Sequence, residues 1–143
     1  VMERGAERFF AALPVIDRRL GSQIEHLRVL VSTTAATLEE NPDFLRILVV
    51  MAAQPVNAVE GQVHEVVNRV REAALIRLRA QMEIVFGVDR NGKVADHLAR
   101  FALAAFDGAF VAYQSHPEVK LGGLLQHLPA ALIAVRRELG RRR

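Results

Sequence analysis

Apolar residues recur every three or four positions along almost the whole chain, the spacing of one face of an α-helix. No stretch alternates apolar and polar residues as a half-buried strand would. Turn residues cut the pattern into about six helical segments. The first spans roughly Glu3 to Leu20, with Ala6, Phe9, Phe10, Leu13, Ile16 and Leu20 on its apolar face. Pro14 lies inside it and is expected to kink or break it. Gly21 ends it, and Ser22 is placed to cap the next. The second segment runs from about Gln23 to Glu40, turning Ile24, Leu27, Val31, Thr34 and Leu38 inward.

Asn41, Pro42 and Asp43 make a well-formed helix start for the third segment: a capping side chain, a proline at the first helical position and an acid at the dipole's positive end. From Phe44 to Ala53 only Arg46 is polar, which predicts burial on more than one side. Gln54–Pro55 stops it. The fourth segment, about Asn57 to Phe86, is the longest, at about 45 Å if fully helical. Val63, Val67, Val70, Ala74, Leu78, Met82 and Val85 form its apolar face. Gly87 is a C-cap candidate, followed by a turn through Asn91–Gly92. The fifth segment, about Val94 to Gln114, is apolar nearly all round, with Arg100, Asp107 and Gln114 on one narrow polar line. The sixth, about Glu118 to Leu139, repeats Leu121, Leu125, Leu128, Leu132, Val135 and Leu139 as a coiled-coil-like seam that Pro129 is expected to kink.

The expected fold is all-α: a single domain over residues 1–143, about six helices, an antiparallel bundle with a long central helix and a two-helix C-terminal dimerisation seam. The last two segments are too apolar to be covered on both sides by one 143-residue chain. A twofold dimer that packs these helices as a four-helix bundle covers them.

Composition narrows the function classes. With 51% apolar and 24% charged residues the chain is globular rather than disordered. The absence of cysteine excludes disulfides, thiolate zinc sites and a cysteine nucleophile. No apolar run approaches the length of a membrane span and the first residues carry no signal-peptide pattern, so a cytoplasmic protein is expected. The net charge of +3 is a tail effect: Arg136, Arg137, Arg141, Arg142 and Arg143 against Glu138 leave residues 1–134 at −1. A nucleic-acid footprint needs basic residues spread over a folded face, and the sequence has none.

Catalytic patterns are missing. His64–Glu65–Val66–Val67–Asn68 lacks the second histidine of a His-Glu-x-x-His zinc site, and no pair of Glu-x-x-His motifs offers a di-iron site. Gly122–Gly123 is not followed by a phosphate-loop lysine, and no serine sits in Gly-x-Ser-x-Gly. No enzyme activity, metal or cofactor is expected. Ser32, Thr33, Thr34 and Thr37 form a hydroxyl cluster that either bonds back to the preceding turn or marks a polar spot in a cavity wall. Small Ala and Val side chains on long facing helices either close tightly or leave a ligand pocket.

Two stretches carry a family resemblance. Asn41–Pro42–Asp43–Phe44–Leu45–Arg46–Ile47–Leu48 resembles the "N-P-E-L-L-R-L-L" helix start, and Ala99 to Phe110, centred on Phe106–Asp107–Gly108–Ala109–Phe110, resembles the "A-x-x-L-x-A-x-x-D-G-L" interface helix, of the C-terminal domain of TetR-like transcriptional regulators. The His–Pro loop at His116–Pro117 and the Leu-rich last segment follow in the same order. The resemblance covers essentially the whole chain. It implies a homodimeric repressor in which a small, mostly apolar effector in this domain changes the spacing of two DNA-reading heads. The chain departs from the family in lacking the N-terminal helix-turn-helix; Val1 falls within what would be the connecting helix, so DNA is a partner only through a missing head.

On this reading the effector contacts Leu30, Thr34, Met51, Val67, Val70, Arg71, Ala74 and Phe106, between the second, fourth and fifth segments. Arg71 is either a partner for an anionic group or a solvated surface residue. The expected dimer face includes Ala104, Gly108, Val111, Leu124, His127, Ala131 and Ala134. The alternative is a stand-alone helical dimer that binds or scaffolds without a DNA link.

Overall fold

The computed structural model describes residues 2–13, 15–55 and 61–141. Among them every regular element is helical: α1 (Met2–Ala12), α2 (Gln23–Glu40), α3 (Pro42–Ala53), α4 (Gly61–Phe86), α5 (Lys93–Ser115), a four-residue α6 (Leu121–Leu124) and α7 (Leu128–Arg141). The all-α expectation with about six substantial helices holds. The expected Asn57 start of the long helix, Pro14, Val1, Arg142 and Arg143 lie outside the described residues.

The 26-residue α4, about 39 Å long, is the central element, and α5 runs along it. Two ion pairs fix their direction: Arg71 meets Asp107 and Arg79 meets Asp96, so rising numbers on one helix pair with falling numbers on the other. The helices are therefore antiparallel, joined through Gly87 and Gly92, both at positive φ as a tight connection requires. The core runs through Leu27 and Val31 of α2, Val67, Leu78 and Met82 of α4, Leu98 and Ala102 of α5, and Leu121, Leu125 and Leu132 beyond. Ser22 caps α2 by accepting the Glu25 amide at 3.2 Å. The Glu39 carboxylate accepts the Leu121 amide at 2.8 Å and ties the end of α2 to the start of α6.

Several expectations are corrected. The first segment is helical only to Ala12, and residues 15–20 form an irregular strap. A proline at 14 disfavours helix at the residue before it, which accounts for an early stop. Asn41 does not cap α3 with its side chain; its Nδ2 donates to the Thr37 carbonyl at 2.8 Å and closes the C-terminus of α2 instead. Helix α3 buries Leu45 and Leu48 but leaves Ile47 and Val50 nearly half exposed, so the chain by itself covers one side of it. The sixth segment is two helices rather than one kinked helix. Gly122 and Gly123 weaken the first part, and Pro129 sits in the opening turn of α7, where its missing N–H costs nothing. Its Leu121, Leu125, Leu128 and Leu132 seam is buried within the chain's own core.

Gly5 marks the closest approach of α1 to α3. A Cβ there would stand 2.7 Å from Phe44 Cδ1, so only glycine lets the two helices meet without moving the ring. Phe9 and Phe44 then meet as tilted rings with centroids 5.9 Å apart, and Phe9 borders the space between α1, α3 and α4.

Candidate functional site

That space is a cavity of about 450 Å³, within the range of small-molecule sites. Five helices and the strap wall it. Phe9 and Phe10 come from α1, Leu13 from just beyond it, Val15 and Ile16 from the strap, and Leu30, Thr34 and Leu38 from α2. Leu45, Leu48 and Val49 come from α3, Val70, Ala74 and Leu78 from α4, and Leu103, Phe106 and Phe110 from α5. The wall is overwhelmingly apolar. It opens to solvent beside Arg77 and beside Val15, whose side chain is 89% exposed.

The helical period explains why α4 lines it. Val70, Ala74 and Leu78 succeed one another at four-residue steps, and Arg71, Arg77 and Gln81 flank that stripe. Ala74 contributes the smallest side chain of that stripe.

Six of the eight residues proposed for effector contact lie in this wall: Leu30, Thr34, Val70, Arg71, Ala74 and Phe106. Met51 and Val67 do not. Val67 is buried in the core proper, and Met51 packs against the core from the far end of α3. The contribution of α1, the strap and α3 was missed in the sequence. Leu13 and Ile16 continue the helical period of the first segment, so nothing local says that residues 15–20 leave the helix and fold back over α2 and α4.

The few polar groups in the wall have distinct partners. Arg71 is paired within the chain: its two terminal nitrogens donate to both Asp107 oxygens, at 3.2 and 2.6 Å, with the side chains 25% and 31% exposed. Asp107 thus neutralises Arg71, a bidentate pair of the strong kind. The rest of the polar line on α5 is paired too. Arg100 donates to Asp96 at 3.0 Å, and Gln114 accepts from Arg46 of α3.

Gln81 is committed at both ends. Its Oε1 lies 2.9 Å from His26 Nε2, and its Nε2 donates to the Ile16 carbonyl at 2.9 Å. The other ring nitrogen of the fully buried His26 accepts the Leu20 amide at 3.0 Å. That bond leaves Nδ1 bare and assigns the ring proton to Nε2, which donates to Gln81. This relay clasps the strap at Ile16 and Leu20 to α2 and α4, and so holds Val15 and Ile16 in the cavity wall.

The hydroxyl cluster divides. Ser32, Thr33 and Thr37 bond back to carbonyls one turn earlier. The Thr34 hydroxyl, in the cavity wall, has no hydrogen-bond partner among the described residues.

Of the residues proposed for a dimer face, Ala104, Gly108 and Val111 of α5, Leu124 of α6, His127 in the following turn and Ala134 of α7 are exposed, and Ala131 is half-buried. Helices α5 and α7 pack against each other. A Cβ added at Gly108 meets nothing within 4 Å in the single chain.

Among the described residues no group of His, Asp or Glu could hold a metal ion, and no helix is long and apolar enough to cross a membrane. No protein-family model matches the chain, and no curated protein sequence matches it.

Proposed function

We propose that the chain is the effector-binding and dimerisation domain of a TetR-like transcriptional regulator, taking a small, mostly apolar ligand into the cavity between α1, α2, α3, α4 and α5. The observation that carries this reading is the cavity itself: about 450 Å³ with an almost wholly apolar wall to which α1 contributes Phe9 and Phe10. A largely apolar hollow of this volume that opens to solvent has the form of a small-molecule site.

The mechanism follows from the placing of α1. It is held by Phe44 across Gly5, by the exposed Glu3–Arg69 pair at 3.1 Å, and by the cavity-facing rings of Phe9 and Phe10. A ligand touching those rings favours whichever tilt of α1 gives it more contact. It shifts the equilibrium only by its difference in affinity for the two tilts. In the proposed regulator α1 leads to a DNA-reading head outside this chain. Exposed apolar side chains on α5 and α6, Phe101, Val111 and Leu124, support self-association through these helices.

The experiment that tests the DNA link is the coding sequence immediately upstream of Val1. An in-frame helix-turn-helix with a basic recognition helix is the expected result. A stop or start codon there would overturn it and leave a stand-alone helical binding protein.

A further inference from the structure

We propose that the ligand of the cavity is a singly charged amphiphilic acid, an apolar body with a carboxylate that binds Arg77 at the mouth. The proposal rests on the reading of the cavity as an effector site and names the chemical class of that effector.

The argument is a count of charge around the cavity. Arg71 and Asp107 cancel, atom for atom, in a bidentate pair. Gln81 is neutral and spends its amide on His26 and Ile16. Thr34 offers a neutral hydroxyl. Arg77 remains, the one charge in the wall with no carboxylate partner among the described residues. Its helical neighbours three and four positions away are Ala73, Ala74, Ala80 and Gln81, so α4 supplies no acid within reach.

Arg77 is also held beside the cavity. Its guanidinium carbon lies over the ring of Phe10, itself a cavity residue, 4.9 Å from the centroid. A cation–π contact of this kind uses no N–H donor, so the guanidinium keeps its donors for a ligand. A carboxylate is the planar two-oxygen partner that a guanidinium binds best. The mouth therefore carries one positive charge above an apolar hollow. A cationic amphiphile meets repulsion there, and a neutral one leaves the guanidinium unused.

The test uses the whole chain and three ligands with the same tail, decanoate, decan-1-ol and decyltrimethylammonium, each below its micellar concentration. Isothermal titration calorimetry is run on the wild-type protein and on Arg77→Gln and Arg77→Lys. Arg77 is exposed, so both variants are expected to fold, and thermal unfolding checks that they do. The expected result is decanoate binding about tenfold or more tighter than decan-1-ol, the scale of one partly solvated charge-assisted hydrogen-bond pair. Arg77→Gln is expected to remove that preference without weakening decan-1-ol, and Arg77→Lys to restore part of it. Equal binding of decanoate and decan-1-ol by the wild type, or a preference that survives in Arg77→Gln, overturns the assignment while leaving the cavity as a neutral site. Failure of all three ligands to bind overturns the cavity reading and the assignment with it.

Discussion

Gln81 joins the strap to the core through two hydrogen bonds, and its replacement by methionine removes both while keeping the length of the side chain. The His26 ring that loses its acceptor is fully buried, so its Nε2–H finds no water. An orphaned buried donor costs about 1–3 kcal/mol. The Ile16 carbonyl lies at the half-exposed strap and turns to solvent, so its loss is smaller, about 0.5–1.5 kcal/mol. Together these give about 1.5–4.5 kcal/mol. A domain of this size loses about 3 °C in Tm per kcal/mol, so Gln81→Met is expected to melt about 4–14 °C lower. Thermal unfolding followed by far-ultraviolet circular dichroism measures it. Hydrogen exchange at the Leu20 amide, which donates to His26 Nδ1, provides a local reading and is expected to lose protection. His26→Phe removes the donor that Gln81→Met orphans, so the two changes are expected to be non-additive by about 1 kcal/mol or more in a double-mutant cycle. A fall in Tm below about 2 °C, with Leu20 exchange unchanged and the cycle additive, would show that the relay does not hold the strap.

If the wild-type chain self-associates as proposed, Gly108→Arg is expected to abolish that in sedimentation velocity while leaving the fold and Tm of the single chain intact, since nothing lies near its Cβ; self-association that persists in the variant would move the interface elsewhere. Asp107→Ala leaves Arg71 without its partner at the cavity rim and is expected to cost about 1–2 kcal/mol in denaturant unfolding, discounted for partial exposure. The companion Arg71→Met/Asp107→Leu is expected to recover part of that loss, because it leaves no lone charge. Leu27→Ala removes a fully buried side chain from the α2 core and is expected to cost about 2–5 kcal/mol, read by the same unfolding experiment.

The helices were legible because each carries its own period and its own punctuation. Ser22, Pro42, Gly87 and Asn91–Gly92 mark ends from local chemistry alone, and the Val67–Val85 stripe of α4 faces the core as its spacing predicts. Four of the six predicted contacts that line the cavity, Val70, Arg71, Ala74 and Phe106, come from α4 and α5, the two longest helices. What the sequence does not contain is the register between helices. The Arg71–Asp107, Arg46–Gln114 and His26–Gln81 contacts span 36, 68 and 55 residues, and no local signal at either end points to the other. The strap is hidden for a different reason: Val15 and Ile16 read as the tail of an amphipathic helix until the break near Pro14 frees them to fold over the cavity. Asn41 shows a third cause, since the same side chain suits the end of α2 and the start of α3 and only geometry chooses between them.

A fluorescence titration with N-phenyl-1-naphthylamine, a neutral apolar dye, asks most directly whether the cavity is a ligand site, and the absence of tryptophan keeps the protein's own emission low. The wild-type chain is expected to bind the dye saturably, one per chain, with a blue-shifted emission. Ala74→Phe, which adds a ring to the cavity wall, is expected to keep its fold by circular dichroism and lose that binding. Saturable binding that persists unchanged in Ala74→Phe, or none in the wild type, would contradict an effector site between α1 and α5.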